Sequence, residues 1–176
     1  MSANVVFEIL YKEYYRRVYG LCRRLLNSTA LAEDATQETF MRAYKNFARY
    51  DSQQPFWQWI AAIAKNHCID LLRRRGRAAS LFGDEAVEIE QLQASDQQAI
   101  SMLVAAENAA ALNHAIAKLP DKYRVPVVLA YFAEASYEQI AADLAISRNH
   151  VGVLLLRAKQ QLRAYLLENN HRPLEL

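Results

Sequence analysis

The sequence predicts an all-α protein of two small helical domains joined by a flexible acidic linker, and three observations predict it. Apolar residues recur at three- and four-residue spacing instead of alternating, which is the period of helices and not of strands. Only 4 glycines and 4 prolines occur among 176 residues, too few for an architecture of many turns. Charge is segregated: residues 1–77 hold 13 Lys and Arg against 7 Asp and Glu, residues 78–107 hold no basic residue against 6 acidic ones, and residues 108–176 hold 8 against 6. The overall charge of +2 therefore conceals two basic parts and an acidic strip between them. Such a partition points to polyanion contacts at both ends and to a middle that nucleic acid repels. The boundaries are placed at 1–77 for the first domain, 78–99 for the linker and 100–176 for the second.

Each element follows from local chemistry. A first helix from about Asn4 to Leu26 carries Phe7, Leu10, Tyr14, Val18, Leu21 and Leu25 as one stripe, and Asn27, Ser28 and Thr29 interrupt it. A second begins near Ala30, sets Glu33 and Asp34 in its first turn and turns Phe40, Tyr44 and Phe47 inward before Tyr50, Asp51 and Ser52 break it. The third starts around Pro55, a residue suited to a first turn, and runs through Trp59, Ile60, Ile63, Ile69 and Leu72 to a basic end. Between Ala78 and about Gln98 come Asp84, Glu85, Glu88, Glu90 and Asp96 with many Gln and Ala, a linker composition that spans at most about 70 Å when extended. Helical patterning resumes near Ile100 and runs to Leu119; Pro120 then starts a further helix, from Asp121 to about Phe132, that Pro126 should bend.

The segment "SYEQIAADLAISRNHVGVLLLRAKQQL", residues 136–162, has the layout of a helix-turn-helix. Ser136 and Gln139 have the spacing of a capping box, Ile140, Ala141 and Leu144 face inward, Ala145 and Ile146 make the turn, and Ser147 is placed to cap the second helix. Steps of about 100° put Val151, Leu154, Leu155, Ala158 and Leu162 on the packed face of that second helix. The opposite face holds Asn149, Val153, Leu156, Arg157, Gln160 and Arg163. Apolar side chains there can meet a thymine methyl while Arg and Asn reach phosphates or base edges. A packed helical hairpin with no ligand is the plainer reading of the same pattern.

Several function classes are excluded on composition. Cys22 and Cys68 form no CxxC pair and no spacing with histidines that a zinc site needs, so a reducing compartment fits. The first helix is interrupted by Glu8, Lys12, Glu13, Arg16 and Arg17, and no apolar run approaches the length of a membrane span, which predicts a cytoplasmic protein without membrane insertion. The acid and base groupings Glu33/Asp34/Glu38 and His67/Asp70 come with no glycine-rich phosphate loop, nucleophile motif or metal spacing. Neither enzymatic activity nor a cofactor is predicted, and His67 and Cys68 receive no metal or catalytic role.

A second constellation stands in the first part: "AEDATQETFMRAYKNF" at 32–47 and "FWQWIAAIAKNHCIDLLRRRGR" at 56–77. With "LPDKYRVPVVLAYFAEASYEQIAADLAIS" in the second part, the chain resembles the extracytoplasmic-function (ECF) sigma factors of bacterial RNA polymerase over almost its whole length. The resemblance implies a helical N-terminal domain that binds the polymerase clamp and the minus-ten promoter element, and a helix-turn-helix domain that binds the minus-thirty-five element. It also implies promoter DNA and core RNA polymerase (clamp and flap regions) as partners, and an anti-sigma factor as a family-level one. A stand-alone helix-turn-helix regulator that binds duplex DNA without polymerase is the alternative.

Carried over by residue, Asp34, Gln37 and Glu38 match the clamp-contacting patch, on a helix whose other side is expected to hold Ala35, Phe40 and Met41. Their plainer reading is a solvated face. Phe56 and Trp57, at the start of the third helix, are placed to meet unstacked bases, with Trp59 in the core. Asn66 aligns with the position lining the pocket for a flipped minus-ten base. Arg73, Arg74, Arg75 and Arg77 exceed what complementing a helix dipole requires and suggest phosphate contacts, to which Lys65 adds. Arg148, Asn149, Val153, Leu156, Arg157 and Gln160 are the expected minus-thirty-five set. Gly152, Val153 and Leu154 depart from the basic or small polar residues usual in relatives, so the sequence of that element does not transfer and fewer phosphate contacts imply weak DNA binding by this domain alone.

Overall fold

A computed structural model describes residues 2–76, 82 and 109–170, and all regular structure among them is helical. By packing, the chain separates into two compact units, Met1–Leu81 with Val128–Ser136, and Phe82–Val127 with Tyr137–Leu176. Apart from Phe82, the acidic linker lies outside the described residues, as do Arg77 and the helical start read near Ile100.

In the first unit α1 (Ala3–Leu26), α2 (Thr29–Asn46) and α3 (Phe56–Arg75) pack against one another in all three pairings. Their ends are local events. Asn27 closes α1 in the left-handed region, φ 50°, donating its backbone N–H to the Arg23 carbonyl at 3.0 Å, a conformation asparagine tolerates better than most residues. Ser28 caps α2, its Oγ accepting from the Leu31 N–H at 3.4 Å. A 3₁₀ turn at Phe47–Arg49 follows α2, and Pro55 precedes α3 with φ −57°. The helix thus begins at Thr29, one residue earlier than the sequence reading, so Glu33 and Asp34 sit beyond its first turn and no acidic residue lies within it.

The buried stripe of α2 is Ala32, Ala35, Thr36, Thr39, Phe40 and Ala43. Both threonines are 0% exposed, which costs little because each hydroxyl donates to the carbonyl four residues back, Thr36 to Ala32 at 2.6 Å and Thr39 to Ala35 at 2.7 Å. Burying them rotates the helix so that Met41 and Tyr44, both expected inside, face solvent at 54% and 52%. An aromatic cluster fills the end of the bundle: Phe7 meets Phe40 and Phe47 edge-on, and Tyr50 meets Phe56 at 5.5 Å.

In the second unit α4 (Ala109–Lys118) and α6 (Tyr137–Leu144) each pack on α7 (Arg148–Asn170); α5 (Asp121–Tyr131), with Pro126 within it, belongs to this unit as far as Val127 and to the first from Val128. Leu112, Ile116, Leu119, Ile140, Leu144 and the packed face of α7 form its core. Arg124 is the unexpected member. It is buried, donates Nη1 to the Leu119 carbonyl at 2.9 Å and pairs Nη2 with Asp121, so one guanidinium ties the last carbonyl of the α4 end to the first turn of α5.

Candidate nucleic-acid interface

Three helices, α2, α3 and α7, carry the residues singled out from the sequence. On α2, Asp34 and Gln37 are exposed and Glu38 is half-buried, all on the face away from the buried stripe. Glu38 accepts from Arg42 Nε at 2.5 Å, and this hydrogen bond holds its carboxyl below the ordinary carboxylate range. Met41 shares this face, so the patch is not purely polar: an exposed thioether lies one turn on from Gln37 and Glu38. His67 of α3 lies near Arg42 and Glu38, and burial, then Arg42, lower its pKa from the ordinary 6.5.

On α3 the aromatic assignment is reversed. Phe56 and Trp57 are 5% and 4% exposed, while Trp59, expected in the core, is partly exposed. The Arg17 guanidinium lies over the Trp57 ring at 3.7 Å, and Phe56 packs edge-on against Tyr14 at 5.1 Å. The rings at the start of α3 are therefore committed to packing and are not presented to bases. Asn66 is exposed, and Asp70 and Arg73 follow it on the same face, with Arg73 Nη1 3.9 Å from Asp70. Arg74 and Arg75 are exposed at the C-terminal end, Lys65 is partly buried, and Arg77 lies outside the described residues.

The helix-turn-helix is built by short-range chemistry. Ala145 occupies the turn with φ 56°, and the Ile146 N–H donates to the Ala141 carbonyl at 3.0 Å. Ser147 Oγ then accepts from the His150 N–H at 3.1 Å and caps α7. Val151, Leu154, Leu155, Ala158 and Leu162 are all buried, so the helix has the phase read from its sequence. Asn149, Arg157 and Gln160 are exposed, with Val153 and Leu156 partly exposed among them. Arg148 donates Nε to Glu138 at 2.6 Å and lies over the Tyr137 ring at 5.5 Å, so it braces α7 against α6 while staying at the surface.

Sequence reasoning missed Met41 and Tyr44 as surface residues. The signal was present: counting threonine as buriable makes 32, 35, 36, 39, 40 and 43 an unbroken helical stripe that leaves 41 and 44 outside.

Two stretches of the chain match families of known proteins. Residues 10–78 match the family described as Sigma-70 region 2, and residues 109–162 that described as Sigma-70, region 4. Over 158 residues the chain is 34% identical to the ECF RNA polymerase sigma factor SigW of Bacillus subtilis (strain 168), covering 87% of this chain and 84% of that one. The chain belongs to the ECF RNA polymerase sigma factors. This sigma factor is also 30% identical over 157 residues to SigM of the same organism, covering 88% of this chain and 91% of the other. Among solved structures its fold resembles the sigma factor RpoE of Bartonella quintana, solved in complex with the anti-sigma factor NepR, with a TM-score of 0.59 at 20% identity over 92% of this chain and 96% of that one. Regions 2 and 4 in one chain make it a sigma factor in transcription initiation, not a stand-alone helix-turn-helix regulator. Among the described residues no helix is long and apolar enough to cross a membrane.

Proposed function

We propose that this sigma factor works as two DNA-facing domains, 1–77 and 100–176, on an acidic tether at 78–99. The first seats on the polymerase clamp through Asp34, Gln37 and Glu38. Its α3 then offers Asn66 to a captured minus-ten base, with Lys65, Arg73, Arg74, Arg75 and Arg77 on flanking phosphates. The second lays Asn149, Val153, Leu156, Arg157 and Gln160 of α7 along the minus-thirty-five element, with Arg148 at the helix start. Phe56 and Trp57 are left out of the base-contacting set because they are buried. The partners in this reading are core RNA polymerase (clamp and flap regions), promoter DNA and an anti-sigma factor. The site is cytoplasmic, and neither catalysis nor a cofactor is part of it.

The observation that carries this reading is the order of the two matched regions, 2 then 4, on either side of a strip with no basic residue. Backbone contacts give affinity and base contacts give sequence. A surface with basic residues beside an exposed amide, as on α3, has both kinds. The test is transcription with purified components. Core polymerase plus the chain should start transcripts at discrete promoters that core alone ignores, and tight promoter binding should require the polymerase. Promoter binding of equal strength without polymerase would overturn the reading.

A further inference from the structure

Packing does not divide the chain where the sequence divides it. Val128–Ser136 lie inside the stretch that matches region 4, yet they pack with the first unit. Two side-chain contacts hold them there. Glu134 accepts from Arg17 Nη2 of α1 at 2.7 Å, across 117 positions of sequence. The same guanidinium lies over the Trp57 ring at 3.7 Å, so one cation joins Glu134 to the packed start of α3. Two turns along the same face of α1, Arg24 lies over the Phe132 ring at 4.2 Å.

The backbone is shaped for this contact. α5 ends at Tyr131, and the Ala133 and Ala135 N–H groups donate back to the Val128 and Leu129 carbonyls at 3.1 and 3.0 Å, with Glu134 in the left-handed region at φ 57°. Glycine or asparagine is at ease there, and glutamate is not. A strained position filled by a carboxylate that pairs with Arg17 marks a contact with a use. It is also a contact able to part: the ion pair is solvent-exposed and therefore weak, and a cleft of about 170 Å³ with Arg16, Gly20 and Tyr131 among its walls stays unfilled beside it.

We infer that Phe132 and Glu134 are an intrachain latch that closes the free sigma factor on α1 and must be released when core polymerase sets the two domains on a promoter. The step from contact to latch rests on the proposed reading of α3 and α7 as the two promoter-reading helices. Helical α6 takes up eight of the 15 steps from Glu134 to Asn149, so that reach is at most about 40 Å. The full length of α1 adds about 36 Å. By their names the two promoter elements lie about 25 base pairs apart, roughly 85 Å of duplex. Asn66 and Asn149 cannot reach both elements while Glu134 stays on Arg17. The latched chain is thus the one that is off the promoter.

Small-angle X-ray scattering of the free chain should give a radius of gyration several ångströms larger in Phe132→Ala/Glu134→Gly than in the parent, with helix content by circular dichroism unchanged. Glu134→Gly alone removes the carboxylate while relieving the backbone, and should give an intermediate value. Affinity for core polymerase should rise several-fold in the double variant, because binding no longer depends on a minor open state. Damage to either domain would lower that affinity instead. An unchanged radius of gyration, or an expanded chain that binds core polymerase no more tightly than the parent, would overturn the latch. Expansion and tighter binding in a variant that, like the parent, starts no transcripts with core polymerase would uphold the latch and count against the proposed function.

Discussion

Truncating Leu155 or, in a separate chain, Leu156 to alanine tests the phase of the recognition helix with two adjacent residues of identical chemistry. Leu155 is 1% exposed and packs into the core of the second unit, whereas Leu156 is partly exposed on the face with Asn149 and Gln160. At roughly 0.8 kcal/mol per carbon, Leu155→Ala loses about 2.4 kcal/mol of transfer free energy. A cavity contribution of about 24 cal/mol per Å³ brings the expected cost to roughly 3 to 4 kcal/mol. Leu156→Ala removes the same atoms from a site that solvent already reaches, so its cost should stay below about 1.5 kcal/mol. For a domain of this size, at about 4 to 8 °C per kcal/mol, the first change lowers the midpoint by roughly 12 to 30 °C and the second by less than about 12 °C. The two tryptophans of the chain, Trp57 and Trp59, both lie in α3 of the first unit. Thermal unfolding followed by far-ultraviolet circular dichroism should therefore move in Leu155→Ala, while tryptophan fluorescence moves less. Promoter preference divides the other way: Leu156→Ala should relax preference at a thymine of the minus-thirty-five element without altering the salt dependence of binding. A larger stability loss in Leu156→Ala than in Leu155→Ala would refute the assigned phase and the DNA-facing surface built on it.

Further outcomes follow from the first unit. Asn66→Ala should leave affinity for core polymerase intact and flatten preference at one minus-ten position by about 1 to 3 kcal/mol, measured on promoters substituted position by position. Glu38→Arg should weaken assembly with core polymerase at least several-fold in a binding titration, since it reverses charge on the patch and breaks the contact with Arg42; unchanged affinity would remove Glu38 from that surface. His67, lowered by burial with Arg42, Glu38, Asp70 and Arg74 around it, takes up its proton more readily unfolded than folded. Its contribution is thus complete above its ordinary value of 6.5 and is lost as pH falls below it. Denaturation midpoints read by tryptophan fluorescence between roughly pH 5.5 and 7.5 should drop toward acid in the parent chain and less in His67→Gln.

Helix ends and the phase of the last helix were legible from the residues alone. Asn27, Ser28, Pro55 and Ser147 act on backbone groups within one turn of themselves, so their effect needs no knowledge of the rest of the chain. The face of α7 was equally plain, because Val151, Leu154, Leu155, Ala158 and Leu162 leave no other apolar stripe to bury. Motif order in the two halves was likewise enough to indicate the family to which the chain belongs. Tertiary structure decided the residues whose chemistry permits either side of a surface. Thr36 and Thr39 went inside because a neighbouring carbonyl satisfies each hydroxyl, and Met41 and Tyr44 were thereby turned out. Phe56 and Trp57 went inside because Tyr14, Tyr50 and Arg17 line the places they fill, leaving Trp59 partly exposed. Arg124 went inside because the Leu119 carbonyl and the Asp121 carboxylate, brought together by the turn at Pro120, receive its guanidinium. Local capping is decided by a residue and its next turn; burial of an amphipathic side chain is decided by partners that only the folded chain supplies.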